Sequence, residues 1–243
     1  MSVRHALVTG ANRGLGLEFV RQLLAAGHHV VAACRQPGRA TALNTLAGEH
    51  PGRLHVLPLD VAAPKSQAEL ARELPLVLGG DGRLDLLVNN AGILHPGERF
   101  GQLALPDFEH AFRTNAAGPL LLTQALAPLL AEARPGEGQA GARVLNLSSE
   151  LGSVATTARF GTPSYAMSKA AQNMATVLLA HALADRGIVV VALHPGWVRT
   201  DMGGEGGELE PADAVAALLR VAAGLQPADS GRFLDHAGRP MPW

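Results

Sequence analysis

Tyr165 and Lys169 stand four positions apart in Tyr165-Ala166-Met167-Ser168-Lys169. Tyr165 is the one tyrosine among 243 residues, and Lys169 is one of two lysines, against eighteen arginines. The stretch that follows, through Ala184, is rich in Ala, Leu, Met and Gln, which are good helix formers. Side chains four apart on a helix share a face, with Cβ atoms roughly 5–6 Å apart. A phenol titrates near ~10, and a neighbouring cation favours the phenolate. Such a pair could supply a proton to a developing alkoxide near neutral pH. Alone, a Tyr-x-x-x-Lys is more often two surface residues one turn apart, so the rest of the chain decides.

A second chemical feature is Thr9-Gly10-Ala11-Asn12-Arg13-Gly14-Leu15-Gly16, between an apolar strand-like run and a helical pattern. Gly10 suits a tight turn, Gly14 lets backbone approach a phosphate, and Gly16 permits close helix–strand packing. The helix that follows presents free N–H groups and a positive partial charge to a pyrophosphate. No Gly-Lys-Ser/Thr is present, so this is not a P-loop. The bland alternative is an ordinary glycine-rich turn. In NAD-preferring sites an acid ends the second strand and binds the ribose 2′-hydroxyl. Here that strand ends Ala32-Ala33-Cys34-Arg35. With Arg13 in the glycine turn, two guanidinium groups near one ribose suit a 2′-phosphate. The expected cofactor is NADP(H) in preference to NAD(H).

The elements that must position these residues alternate along the chain. Short apolar runs predict strands at 6–9, 30–34, 54–59, 84–89, 144–148, 189–193 and 231–234. Helical patterns lie at 15–26, 39–49, 66–74 (ended by Pro75), 106–131 (broken near Gly118-Pro119), 164–186 and 211–223. Continuous apolar strands alternating with helices predict an α/β fold, a doubly wound, mostly parallel sheet of Rossmann type with about seven strands and helices on both faces. One domain, 1–243, is expected, with a surface loop at 134–142, a substrate loop at 151–163 and a lid at 201–211.

Net charge is −1 without a basic stripe, which argues against nucleic acid or a membrane surface as partner. Cys34 is the single cysteine, so no intrachain disulfide forms, and no Cys/His spacing suggests a metal. No apolar run reaches the ~20 residues a membrane span needs, and a cytoplasmic location is the expectation.

The motifs taken in order resemble the single-domain short-chain dehydrogenase/reductase family, over essentially the whole chain. The glycine turn matches T-G-x-x-x-G-x-G, and Leu59-Asp60-Val61 matches the acidic position after the third strand. Asn89-Asn90-Ala91-Gly92 matches N-N-A-G. Asn115, Ser149, Tyr165 and Lys169 match the family's catalytic group, and His194-Pro195-Gly196-Trp197-Val198-Arg199-Thr200 its proline–glycine turn. Two terminal stretches, His194 to Met202 and Gly231 to Trp243, resemble the C-factor and carbonyl-reductase-like subgroup. Ser149 and Tyr165 lie sixteen apart, farther than in many family members, so the loop at 151–163 is expected to reshape the substrate side.

The resemblance implies an NADP(H)-dependent oxidoreductase that interconverts a carbonyl and an alcohol. Ser149 would hold the carbonyl oxygen, and Tyr165 would act as general acid or base. Lys169 would favour the phenolate and grip the nicotinamide ribose, and Asn115 would hold a water on a proton path. Cofactor contacts are implied for Gly10, Asn12, Arg13, Gly14, Leu15, Gly16, Arg35, Asp60, Val61, Asn90, Ala91, Gly92, Pro195, Gly196, Val198 and Thr200, besides Tyr165 and Lys169. Each has a plainer alternative: Asp60 as a helix cap, Ser149 as a strand-end cap, Asn115 as a kink residue, Asn90 as a turn residue. Leu94, Phe160, Trp197 and Met202 are expected pocket neighbours, favouring an apolar aldehyde or ketone. The helix after Tyr165 offers surplus apolar surface, and with the resemblance this implies a homodimer or homotetramer. The alternative function is a dinucleotide-binding signalling protein of C-factor type with little turnover.

Overall fold

The computed structural model describes residues 5–79, 82–133 and 141–243. Its strands are β1 (His5–Thr9), β2 (His29–Cys34), β3 (Leu54–Pro58), β4 (Leu86–Asn89), β5 (Arg143–Leu147), β6 (Val189–His194) and β7 (Phe233–Asp235). The helices are α1 (Gly14–Ala25), α2 (Thr41–Glu49), α3 (Pro64–Val77), α4 (Leu105–Phe112), α5 (Gly118–Leu126), α6 (Pro163–Ala182) and α7 (Pro211–Gly224). The strands form one parallel sheet in the order β3-β2-β1-β4-β5-β6-β7.

Successive residues of a strand point to opposite faces, and both faces here are covered. Ala6 and Val8 of β1 pack with Phe19, Val20 and Leu23 of α1 and with Val215 and Leu218 of α7. Leu7, between them, packs on the other face with Leu70 and Leu74 of α3, Leu122 of α5 and Leu179 of α6. That double burial is why the strands read as continuous apolar runs. Among the described residues, no helix is long and apolar enough to cross a membrane.

Two boundaries differ from expectation. Pro75 does not end α3, which continues to Val77. The proline sits in the last turn, and Leu74 and Leu78, both buried, hold that turn against the core. The segment expected at 106–131 is divided before Gly118-Pro119 by a π-helical turn over Arg113–Ala117. Pro119 has no N–H to give the carbonyl of Asn115, so the ladder cannot keep its usual spacing there. A Cβ on Gly118 would lie 2.6 Å from Val61 O, so the helix passes close to the loop after β3. Of the expected loop at 134–142, residues 134–140 lie outside the described residues.

Candidate active site

A cleft of about 1030 Å³ opens along the carboxyl ends of the strands. It lies over the junction of β1 and β4, adjacent strands whose following helices pack on opposite faces of the sheet. This is the crevice where doubly wound sheets bind ligands.

The loops after β1 and β4 are knitted together at its base. Thr9 Oγ1 accepts from the N–H groups of Asn90 and Ala91, each at 3.0 Å. Asn90 Nδ2 donates to the carbonyls of Thr9 at 2.9 Å and Gly10 at 3.2 Å. Gly10 has φ +62°, and a Cβ there would stand 2.8 Å from Ala91 Cα. A Cβ on Gly16 would collide with Gly10 O and lie 2.5 Å from Asn90 Nδ2. Gly16 therefore sits beneath the turn and does not line the cleft, whereas Gly10, Asn12, Arg13, Gly14 and Leu15 do.

The N-cap residue of α1, Arg13, makes no side-chain cap, which leaves the helix's first N–H groups to meet an anion. Arg35, directly after β2, lines the same end. Asp60 and Val61 line it too, and Asp60 Oδ1 also accepts the Ala62 N–H at 2.9 Å. Asp60 thus caps its own turn and faces the cleft. On the opposite lip are Pro195, Gly196, Val198 and Thr200. The lips meet where Arg13 Nη1 reaches Asp201 Oδ2 at 2.8 Å. An uncapped helix end, a glycine at a close approach and the guanidinium groups of Arg13, Arg35 and Arg39, which all line the cleft, fit a dinucleotide phosphate.

Farther along, Ser149, Tyr165 and Lys169 converge. Tyr165 is 8 % exposed and Lys169 4 %. Lys169 Nζ lies 5.6 Å from the centre of the Tyr165 ring and donates to Leu147 O at 2.6 Å. Burial pushes the Tyr165 phenol up to about 12, against a smaller opposing effect of a hydrogen bond from the Ser149 side chain. Burial brings Lys169 down to about 7. For both groups desolvation is the largest influence. Ser149 Oγ accepts the Leu151 N–H at 3.2 Å, leaving its own O–H to donate. Burial also lowers His194, which lines the cleft beside Ser149.

Asn115, fully buried, lies behind the cleft wall. Its Oδ1 accepts the Ile93 N–H at 2.8 Å. Its Nδ2 donates to Ile93 O at 2.8 Å and Ser168 Oγ at 2.9 Å. The side chain thus clamps the loop after β4 onto α6, and none of these bonds goes to Lys169.

Sequence reasoning missed the partners on α6. Gln172 Oε1 accepts from Lys169 Nζ at 2.9 Å. Asn173 accepts from Ser148 Oγ at 2.6 Å and donates to Gly152 O at 3.1 Å, so it holds the turn that carries Ser149. The signal was present: Ser164, Ser168, Gln172 and Thr176 recur every four residues, and all four are buried.

Of the expected pocket neighbours, Leu94, Trp197 and Met202 line the cleft. Phe160 does not: it stands exposed, edge-on to Phe100 with ring centres 5.8 Å apart. His95 faces away toward α4, its ring 5.3 Å from that of His110 and its Nδ1 3.6 Å from Asp107. The segment at 201–211 is folded back on Trp197, whose carbonyl accepts from Glu208 and Leu209 N–H groups and whose Nε1 donates to Gly203 O at 2.8 Å.

Comparison with known proteins agrees with this geometry. The family model described as short chain dehydrogenase matches residues 4–210. The chain is 43 % identical over 162 residues to the C-signal of Myxococcus xanthus, covering 67 % of this chain and 94 % of that protein. It resembles the NADPH-bound carbonyl reductase from chicken fatty liver, with TM-score 0.92, 39 % identity and all of both chains covered. The carbonyl reductase Sniffer of D. melanogaster matches with TM-score 0.93 and 33 % identity over 99 % of this chain and 100 % of that one. The crossed sheet, the glycine turn under Asn90 and the Ser149–Tyr165–Lys169 cluster thus have a common origin: the chain belongs to the short-chain dehydrogenase/reductase family of oxidoreductases, in its C-factor and carbonyl-reductase-like branch.

Proposed function

We propose that the protein is an NADP(H)-dependent carbonyl reductase in which Tyr165 is the proton donor. The observation that carries this reading is the buried Tyr165 phenol at the cleft wall, with Ser149 and Lys169 beside it. When bound, the reduced nicotinamide supplies a hydride to the carbonyl carbon. As negative charge grows on the carbonyl oxygen, Tyr165 Oη gives it a proton. Ser149 donates its O–H to the same oxygen, a contribution of roughly 2.7–4 kcal/mol for one well-placed donor. Lys169 supplies positive charge below Tyr165, and its remaining donor is available to a ribose hydroxyl.

The uncapped start of α1, with Gly10, Asn12, Gly14 and Leu15, would hold the pyrophosphate. Arg13 and Arg35 would hold a 2′-phosphate, Asp60 and Val61 the adenine end, and Asn90, Ala91 and Gly92 the cleft floor. Pro195, Gly196, Val198 and Thr200 would hold the nicotinamide side. Leu94, Trp197 and Met202 favour an apolar aldehyde or ketone. We further read 1–243 as one domain, 151–163 as the segment that shapes the substrate side, and 201–211 as the cover beside Trp197. The chicken carbonyl reductase has NADPH bound, which supports the cofactor reading.

The test is a panel of aldehydes, ketones and quinones assayed by loss of NADPH absorbance. Turnover on at least one apolar carbonyl is expected. A second reading, a signalling protein that binds the dinucleotide without turnover, is favoured by the similarity to C-signal. NADPH binding with no turnover across the panel would select it.

A further inference from the structure

A buried ammonium needs acceptors for three N–H donors. Lys169 finds one in Leu147 O at 2.6 Å and another in Gln172 Oε1 at 2.9 Å. Gln172 lies one turn farther along α6 and is fully buried. Its Nε2 has no hydrogen-bond partner among the described residues. A buried amide with one end bare is unfavourable, and an apolar side chain of similar shape would fill the space without that loss. Turning the amide over would set donor against donor at Lys169. Among the described residues the ammonium is thus the polar group that fixes how this amide faces.

We propose that Gln172 is a positioning residue for Lys169, supplying in place of water an acceptor that holds the buried ammonium and leaves its third donor available to the cleft. The proposal rests on the role given to Lys169 above. The titratable neighbour is Tyr165 on the same helix. From β5 comes the Leu147 carbonyl and from the loop after β4 the backbone of Gly92, while Gly152, in the turn after Ser149, packs on the Lys169 backbone. Burial is the influence that acts on the charge of Lys169, with no carboxylate among the described residues opposing it. A neutral amide leaves the ammonium able to titrate near working pH, whereas a carboxylate at the same place would lock it charged.

The chain's two lysines make the test direct, because Lys65 is 90 % exposed and Lys169 is buried. Protein isotope-labelled at lysine Cε gives two NMR signals, which a Lys65→Arg control assigns. The midpoint of Lys169 is then read in the whole protein without reference to turnover. Gln172→Leu is expected to lower it by about one pH unit, and Gln172→Glu to raise it by at least as much. Gln172→Met, which keeps the length without the amide, repeats the first arm if the leucine variant does not fold. The alkaline limb of the carbonyl-reduction profile should move in the same direction in each variant. A midpoint unmoved by both the apolar and the acidic replacement would overturn the proposal. Opposite shifts of the midpoint in a protein that turns over no carbonyl would support it and remove the catalytic reading instead.

Discussion

Arg13 and Asp201 join the two lips of the cleft, Nη1 to Oδ2 at 2.8 Å, with both side chains mostly in solvent. An exposed pair is worth ~0–1 kcal/mol and weakens with salt, so a 2′-phosphate can take Arg13 from Asp201. Asp201→Asn is expected to tighten NADPH binding by about 2–5-fold and to leave NADH unchanged. Arg35→Asp should weaken NADPH far more than NADH. Calorimetric titration with both dinucleotides measures each effect, and equal affinities in the unmodified protein would count against the arginine argument.

Tyr165→Phe removes one hydroxyl and keeps the ring in place. No other tyrosine exists to replace it. Turnover should fall by roughly 10²–10⁴, about 3–5 kcal/mol of barrier, while NADPH affinity stays near normal. Quenching of Trp197 fluorescence can report that affinity, with Trp197→Phe separating its signal from that of Trp243. Undiminished turnover would make the tyrosine structural.

Acid and base limbs of stability should carry the marks of Lys169 and Tyr165. Lys169 titrates at about 7 when folded and at 10.5 ordinarily. Between those values the unfolded chain binds the extra proton, so stability rises with pH, at ~1.4 kcal/mol per unit at most. Below about 7 the burial penalty is present in full. Tyr165 acts later with the opposite sign: its proton is held to about 12 against 10.0, so stability is lost across that interval. Urea denaturation of the protein and of Lys169→Met should show the first rise in the former and its absence in the latter.

Assembly is tested by mass. Met167, Met174 and Leu178 of α6 are each more than half exposed, as are Leu105 and Phe112 of α4. With the family resemblance, these exposed apolar residues lead us to expect a homodimer or homotetramer. Light scattering at micromolar concentration should give at least twice the 25.2 kDa chain mass. Met174→Lys with Leu178→Glu should return the monomer, and a monomer in the unmodified protein would end the idea.

The order of strands and helices was legible because burial on both faces leaves continuous apolar runs such as 189–193. Most of the motif residues gather round one cleft because they follow a strand's carboxyl end or face it from α6; Gly16 and Asn115 support that cleft from beneath and behind. The π turn at Asn115 was not legible as such: it combines the missing N–H of Pro119 with the approach of Gly118 to Val61, and the second comes from distant chain. Gln172 and Asn173 escaped notice because polar residues on a helix read as solvent-facing until their burial is known. The burial of Tyr165 was not legible for a related reason. Spacing shows a cation nearby but not the desolvation that outweighs it.

The knot of bonds among Thr9, Asn90 and Ala91 has a consequence for how the chain comes to be folded. Its two sides are made about eighty residues apart, and β1 pairs with β4 only after β2 and β3 have been synthesised. Until β4 emerges, β1 is a bare edge carrying Ala6, Leu7 and Val8, all wholly buried in the finished protein. Such an edge is open to pairing with other chains, and long-range parallel pairing is slow. Nascent or truncated chains that stop short of β4 would therefore be the sticky species in the life of this protein, and the strand that completes the glycine turn's floor is also the one that ends that exposure.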